Sequence, residues 1–368
     1  MLPNNALLPW RAPAARLLVN GQPVAGVTQS EVIANNHYAA DSFRVGLALG
    51  ADAAFPAPFW AGTTGVLVEL QFSLDGAGFV SLITGAVDSV VLDPITGTLQ
   101  LEGRDLTASL IEARTQETFS NRTASEIATL LAQRHDLRPV VTPTTTPVGR
   151  YYQSEHDRIT LDQFSHATTE WDLLVFLARQ EGFDVFVEGT SLHFQPPAPA
   201  TPPPVILRPD MLIDLRLQRS LTLARDIEVT VKSWNSRQKS AFTQTALASG
   251  LPAAGGKGGP PSPPQRYVYV RPNLTPNQAL QFAQHRLAEL TLHERVIDLQ
   301  MPGELALTPR STLLLTGTGT DFDQSYAIDV IERDLRWHDG FTQRIRAKNT
   351  SPRVQTTTPA DTVGAVTG

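Results

Sequence analysis

Carboxylates come first among the residues that could do chemistry. The stretch "TDFDQSYAIDV" sets Asp321, Asp323 and Asp329 close together, and acids two residues apart can share a hard cation such as Ca²⁺. Counted from Asp321, the sixth position of an EF-hand loop is Tyr326, where the sharp turn needs glycine. A polar turn leading into a strand is the better reading. The histidines number 8 and are scattered. His285 and His293 share a predicted helix but stand eight apart, so they point about 80° away from each other. No H-E-x-x-H motif occurs. His156 lies between Glu155 and Asp157, the pattern of a surface charge cluster. In "AAGGKGGPPSPP", Gly258 follows Lys257 where a phosphate loop requires Ser or Thr, and prolines follow where its helix should begin. No G-x-S-x-G elbow is present. A glycosidase needs only two acids, and no pattern singles out a pair among 36. Cysteine is absent, which removes disulfides, thiolate metal sites and cysteine nucleophiles together. These residues indicate no enzyme, no metal and no cofactor.

The elements that would position such groups are more informative. A chain of 368 residues suggests two or three domains. Its 41% apolar and 18% charged content is ordinarily globular. The net charge of −6 disfavours a sequence-independent grip on nucleic acid. No apolar window approaches the roughly 20 residues of a membrane helix, and the N-terminus lacks the pattern of a secretory signal.

Residues 1–112 read as a first β-barrel domain. Val66, Val68, Leu70 and Phe72 alternate, Asp75-Gly76-Ala77-Gly78 breaks the run, and Gly97 turns the next one. Residues 113–197 read as a small α+β module. Thr123 with Glu126 has capping-box spacing, as does Thr160 with Gln163. Thr168 or Thr169 can cap a further helix carrying Trp171, Leu174, Val175 and Ala178 on one face. Leu173, Phe176 and Leu177 widen that face until the helix must be buried on more than one side. Gly182 stops it, and Val185, Val187, Leu192 and Phe194 form a hairpin around Gly189-Thr190. A stiff Pro-rich linker, Gln195 to Val205, leads to residues 198–350, a second β-barrel domain. That domain carries an inserted loop and helix at about 236–293: low-complexity "ALASGLPAAGGKGGPPSPPQR" is expected to be a surface loop, and Pro276 opens the helix. Residues 351–368 are expected to be a flexible tail. No fixed-period repeat is visible, yet two blocks of similar texture hint at one fold used twice. The fold class is mainly β with α+β insertions: two antiparallel barrels plus the small module.

"TTEWDLLVFLARQEGFDVFVEGTSLHF" resembles the core signature of contractile-tail hub proteins, the phage late-control D-like family, shared with the N-terminal hub part of type VI secretion spike proteins. The matching positions are Trp171, Asp172, Leu173, Leu174, Leu177, Gly182 and Phe183. "LEGRDLTASLIEAR" resembles that family's exit from its first barrel, through Gly103, Arg104 and Asp105. "GTGTDFDQSYAIDVIERDLRWHDGFTQRIRAKN" resembles the end of its second, with Asp323, Gly340 and Phe341. The resemblance implies a homotrimer whose six barrels form a near-sixfold ring, with the tail tube protein above and a separate spike protein below. It further implies baseplate wedge proteins as possible neighbours, DNA passing through the lumen without specific binding, no membrane insertion, and a virion location after assembly in the bacterial host cytoplasm. The alternatives are a tail-associated peptidoglycan-degrading enzyme and a soluble carbohydrate-binding β protein.

Overall fold

Alternating buried and exposed side chains build the first block into strands: β1 (Ala14–Val19), β2 (Gln22–Val24), β3 (Val27–Asn35) and β4 (Ser42–Ala48). A short helix α1 (Ala57–Gly62) precedes β5 (Leu67–Ser73), β6 (Val80–Asp93), β7 (Thr98–Asp105) and a helical turn α2 (Thr107–Glu112). The computed structural model describes residues 11–36, 38–115, 119, 122–145, 148, 169–197, 203–221, 227–235, 240–248, 265–271, 274–291, 293–350 and 356–357. The expectations for His156, for Thr160 with Gln163, for Lys257 and Gly258, for the middle of the Pro-rich linker and for most of the tail fall outside these residues.

The module follows as α3 (Ala124–Arg134), β8 (Arg138–Val141), α4 (Glu170–Glu181), β9 (Asp184–Glu188) and β10 (Ser191–Gln195). The second block comprises β11 (Val205–Leu207), β12 (Asp214–Arg219), β13 (Ile227–Asn235), β14 (Ser240–Ala248), β15 (Gln265–Val270), α5 (Pro276–Thr291), β16 (Arg295–Pro302), β17 (Thr312–Leu315), β18 (Ser325–Arg336), β19 (Gly340–Asn349) and the two-residue β20 (Thr356–Thr357).

Two expectations are corrected, and the first block adds an element to its strands. The first block contains α1, nucleated by Pro58 in its first turn and held by Trp60, whose indole N–H donates to the Phe55 carbonyl at 3.0 Å. Ala246–Ala248, expected in a loop, end strand β14, because Ala246 packs against α5 and the backbone pairs with β13. The segment expected to be a flexible tail contributes Thr356 and Thr357 to the far edge of β14.

One 13-stranded sheet runs through both β blocks, and each block curls its strands around its own core. Leu17, Phe43, Val68, Phe72 and Leu101 fill the first core; Ile297, Leu313, Tyr326, Ile328 and Ile345 fill the second. Within this sheet the same five-strand unit occurs twice. In chain order β3, β4, β5, β6, β7 correspond to β12, β16, β17, β18, β19, and in space both units are laid out first-second-fifth-fourth-third. The fourth strand of each is long and bulged at mid-length, between Val87 and Ser89 in β6 and between Ile328 and Val330 in β18. The bulged-out residue is an aspartate both times, paired to a cation on the fifth strand: Asp88 to Arg104 at 2.6 Å and Asp329 to Lys348 at 2.8 Å. The unit is easy to miss in sequence because β13, β14, β15 and α5 interrupt its second copy, forming a separate sheet backed by that helix.

The two units join where residues Val330–Arg336 of β18 pair antiparallel with Asn35–Gln29 of β3. Sheet continuity across this junction, together with Phe341 of β19 packing edge-on against Phe72 at 5.2 Å in the first core, makes the halves one body.

Candidate functional site

Three bodies meet at the turn between β3 and β4. Asn36 reaches the second block, its backbone N–H donating to the Asp329 carbonyl and its amide to the Ile328 carbonyl at 2.7 Å. The Tyr38 carbonyl accepts the Trp171 indole N–H at 2.7 Å and so ties the module's helix α4 to the same turn. Asp41 takes the Asn35 N–H at 2.7 Å, and its carbonyl accepts the backbone N–H of Asp105 at the end of β7.

Titratable groups at the junction are strongly perturbed. Burial drives the Asp41 carboxyl up to about 6. Burial, then the neighbouring Asp41 charge, drives Asp105 up to about 7 against the lowering effect of Thr107, whose hydroxyl and N–H both donate to it. Arg333 is buried as well. Its guanidinium donates to the carbonyls of Glu304 and Leu307, and desolvation lowers it to about 10. Arg310 lies 3.6 Å above the Phe186 ring, with His193 stacked on Phe186 at 4.6 Å, and this column clamps the module's hairpin to the second block.

Two carboxyls of raised affinity for protons are what an acid–base pair would require. Here they sit inside the packing between elements, with Asp105 only 7% exposed and hydrogen-bonded locally. Neither borders the open groove of about 280 Å³ lined by Glu31, Arg44, Asp88, Glu102 and Arg104. That groove belongs to a face where charges are mated across strands: Arg44 to Glu102 at 2.9 Å and Glu31 at 3.5 Å, Arg104 to Asp88 and Glu112, Arg346 to Asp298 at 3.8 Å, and Arg344 to Glu332 at 4.0 Å. Among the described residues no group of three or more His, Asp or Glu side chains could hold a metal ion, and no helix is long and apolar enough to cross a membrane.

The residues singled out in the sequence are dispersed through the structure and act on its shape. Thr169 caps α4, accepting the Asp172 N–H, while the Asp172 carboxylate accepts the Thr169 N–H; Thr123 and Glu126 form the same box on α3. Leu173, Leu174 and Leu177 are fully buried, Gly182 ends the helix at φ 70°, and Phe183 packs on Phe194 at 5.4 Å. Gly103 lies so close to β6 and Phe43 that a Cβ would fall 2.1 Å from the Ala86 carbonyl oxygen and 2.5 Å from the Phe43 ring. Arg104 is held by Asp88 and Glu112, which raise its proton affinity further. Asp323 accepts the N–H groups of Thr318 and Gly319 and the Thr318 hydroxyl, the polar turn expected in place of a cation site. Gly340 turns the β18–β19 hairpin at φ 73° ahead of Phe341. The Asp41 turn and Arg310 were missed in the sequence, since only the fold brings Asp41 beside Asp105 and Arg310 over Phe186.

No protein-family model matches the sequence, and no curated protein matches it either. Solved structures do match. A tail protein from Neisseria meningitidis MC58 superposes with a TM-score of 0.67 at 15% identity, over 93% of this chain and 98% of that one. The 43 kDa tail protein of prophage MuSo2 from Shewanella oneidensis gives 0.66 at 17% identity, over 94% and 100%. An Escherichia coli component of the type VI secretion system, itself structurally similar to two T4 bacteriophage tail proteins, gives 0.55 at 12% identity, over 94% and 79%. The chain therefore has the mainly β fold found in phage tail proteins and in a type VI secretion component, along nearly its whole length.

Proposed function

We propose that this protein is the structural hub of a contractile phage tail baseplate or phage-like injection particle. Three copies close into a ring of near-sixfold symmetry that joins the hexameric tail tube to a trimeric spike. The observation that carries the reading is the five-strand unit used twice in one continuous sheet, because two like units per chain turn threefold symmetry into an approximate sixfold one. The likeness to tail proteins and to a secretion component supports it. Residues 1–112 and 198–350 then act as the two barrel domains and 113–197 as the module that braces them, with the signature positions from Gly103 to Phe341 holding shape. Wedge proteins would surround such a ring, and DNA would cross its lumen without specific binding, past a face whose cations already have partners. The protein would reside in the virion after assembly in the host cytoplasm and would catalyse nothing.

Sedimentation together with negative-stain imaging tests this: a ring with threefold symmetry is expected, and a monomer at high concentration would overturn it. A peptidoglycan zymogram of the purified protein is expected to stay unclear; a cleared band would favour the tail-enzyme alternative.

A further inference from the structure

The junction inside the chain has a vacant counterpart at its ends. Strand β18 is covered along its outer edge in two stretches: β17 pairs with Ser325–Ala327, before the bulge, and β3 pairs with Val330–Arg336, beyond it. Strand β6 is covered in only one. β5 pairs with Val80–Ala86, and among the described residues no strand pairs with the outer edge of Ser89–Asp93. At that place lies an open groove of about 500 Å³, walled by Trp60, the Thr63–Val66 segment, Val90 and Leu92. By the correspondence of units, the strand belonging there is the equivalent of β3, which is β12. Among the described residues the outer edge of β12 has no strand either, since β12 pairs with β16 alone.

We propose that β12 of one copy lies in the β6 groove of the next, in the register that β3 adopts on β18. This rests on the ring reading and names the contact that would close it. The register follows from pairings already present. Ser89 and Glu102 occupy the places of Val330 and Arg346, each pair being the first beyond its bulge. Arg44, which pairs with Glu102, then takes the place of Asp298, and Glu31 that of Arg216. Since Val330 faces Asn35, Glu332 faces Ile33 and Asp334 faces Glu31, Ser89 should face Ser220, Val91 should face Gln218, and Asp93 should face Arg216.

Three independent features agree. The eight strands from β12 to β6 alternate in direction, so the two ends run oppositely and the seam is antiparallel like every other pair in the run. The Ser220 N–H donates to Glu294, so the even-numbered residues of β12 bond to β16. Leu215, Leu217 and Arg219 are left presenting their N–H and C=O groups to the open edge, as β3 does toward β18. Opposite charges meet at Asp93 and Arg216, and the inward Leu215 and Leu217 continue the apolar layer of Val90 and Leu92. An uncovered edge invites pairing, and a head-to-tail contact that closes makes a ring.

The absence of cysteine makes the test clean. The double variant V91C/Q218C, mildly oxidised, should give covalent species up to a trimer and none larger on a non-reducing gel. The off-register variant V91C/D214C should give at least tenfold less. Gly65 offers open space toward the groove, so Gly65→Phe should fill it and weaken association at least tenfold while the thermal unfolding of the chain is unchanged. If the wild-type protein sediments as a trimer but V91C/Q218C does not cross-link and Gly65→Phe still assembles, the seam lies elsewhere and this proposal fails while the ring stands. A monomeric wild type sinks both.

Discussion

The two five-strand units share a plan and differ in how they fill it. At the position next to the bulge, the first unit has Gly103 and the second has Ala347, and the residue packed beside each is Phe43 in one and Ile297 in the other. The larger ring of Phe43 takes the volume that the Ala347 methyl occupies in its own unit. Two residues further along the same strands, the buried Asp105 of the first unit stands where the second has the neutral, fully buried Asn349. A duplicated framework therefore tolerates different side chains provided that each local set fills its space.

This contrast gives predictions of decreasing size. Gly103→Ala is expected to destabilise by about 3 kcal/mol, because a strand backbone must move away from the added methyl. Ala347→Gly, the reverse exchange in the other unit, should cost only about 1 kcal/mol through lost packing and added chain freedom. Equal costs in a urea titration would mean that the two positions are not equivalent.

The next test converts the first unit's acid to the second unit's amide. Asp105 and Asp41 hold protons in the folded state at pH values where the unfolded chain has released them. Their contribution is therefore most favourable at the acid end and is lost as pH rises from about 4 to 7, with a slope of up to about 1.4 kcal/mol per pH unit for each proton. Asp105→Asn should flatten that slope. Its melting temperature relative to wild type should rise between pH 5 and pH 8, and a constant difference would show that Asp105 is not protonated in the fold.

The smallest effect concerns the paired charges on the charged sheet face. Glu102→Gln breaks a 2.9 Å pair with Arg44 and should cost about 0.5 kcal/mol, whereas Glu332→Gln, at 4.0 Å from Arg344, should lie near zero. Chemical denaturation at low and at 0.5 M salt would separate them, since the Glu102 effect should shrink with screening.

Local structure was legible in the sequence. The Thr123–Glu126 box, the Thr169 cap, the all-round apolar α4 and the Gly182 stop depend on residues within one or two turns of each other, and each appears as read. The alternation in β5 and the turn at Gly97 belong to the same class. Partner choice was not legible. Nothing in "VTQSEVIAN" announces that it pairs with a strand some 300 residues later, because pairing is decided by which edge the fold leaves open. The duplicated unit was hidden for a related reason: equivalent positions carry Glu31 and Arg216, Arg44 and Asp298, Gly103 and Ala347, so the shared property is geometry. The three-body junction could not be seen until Asp41, Asp105, Trp171 and Arg333 were brought together.

The short turn after β3 behaves as a rivet. Through Asn36, the Tyr38 carbonyl and Asp41 it is bonded to the second block, the module and the first block. A displacement of any one of them must stretch bonds to the other two, so force applied at one end of the molecule is shared among all three without having to deform either apolar core.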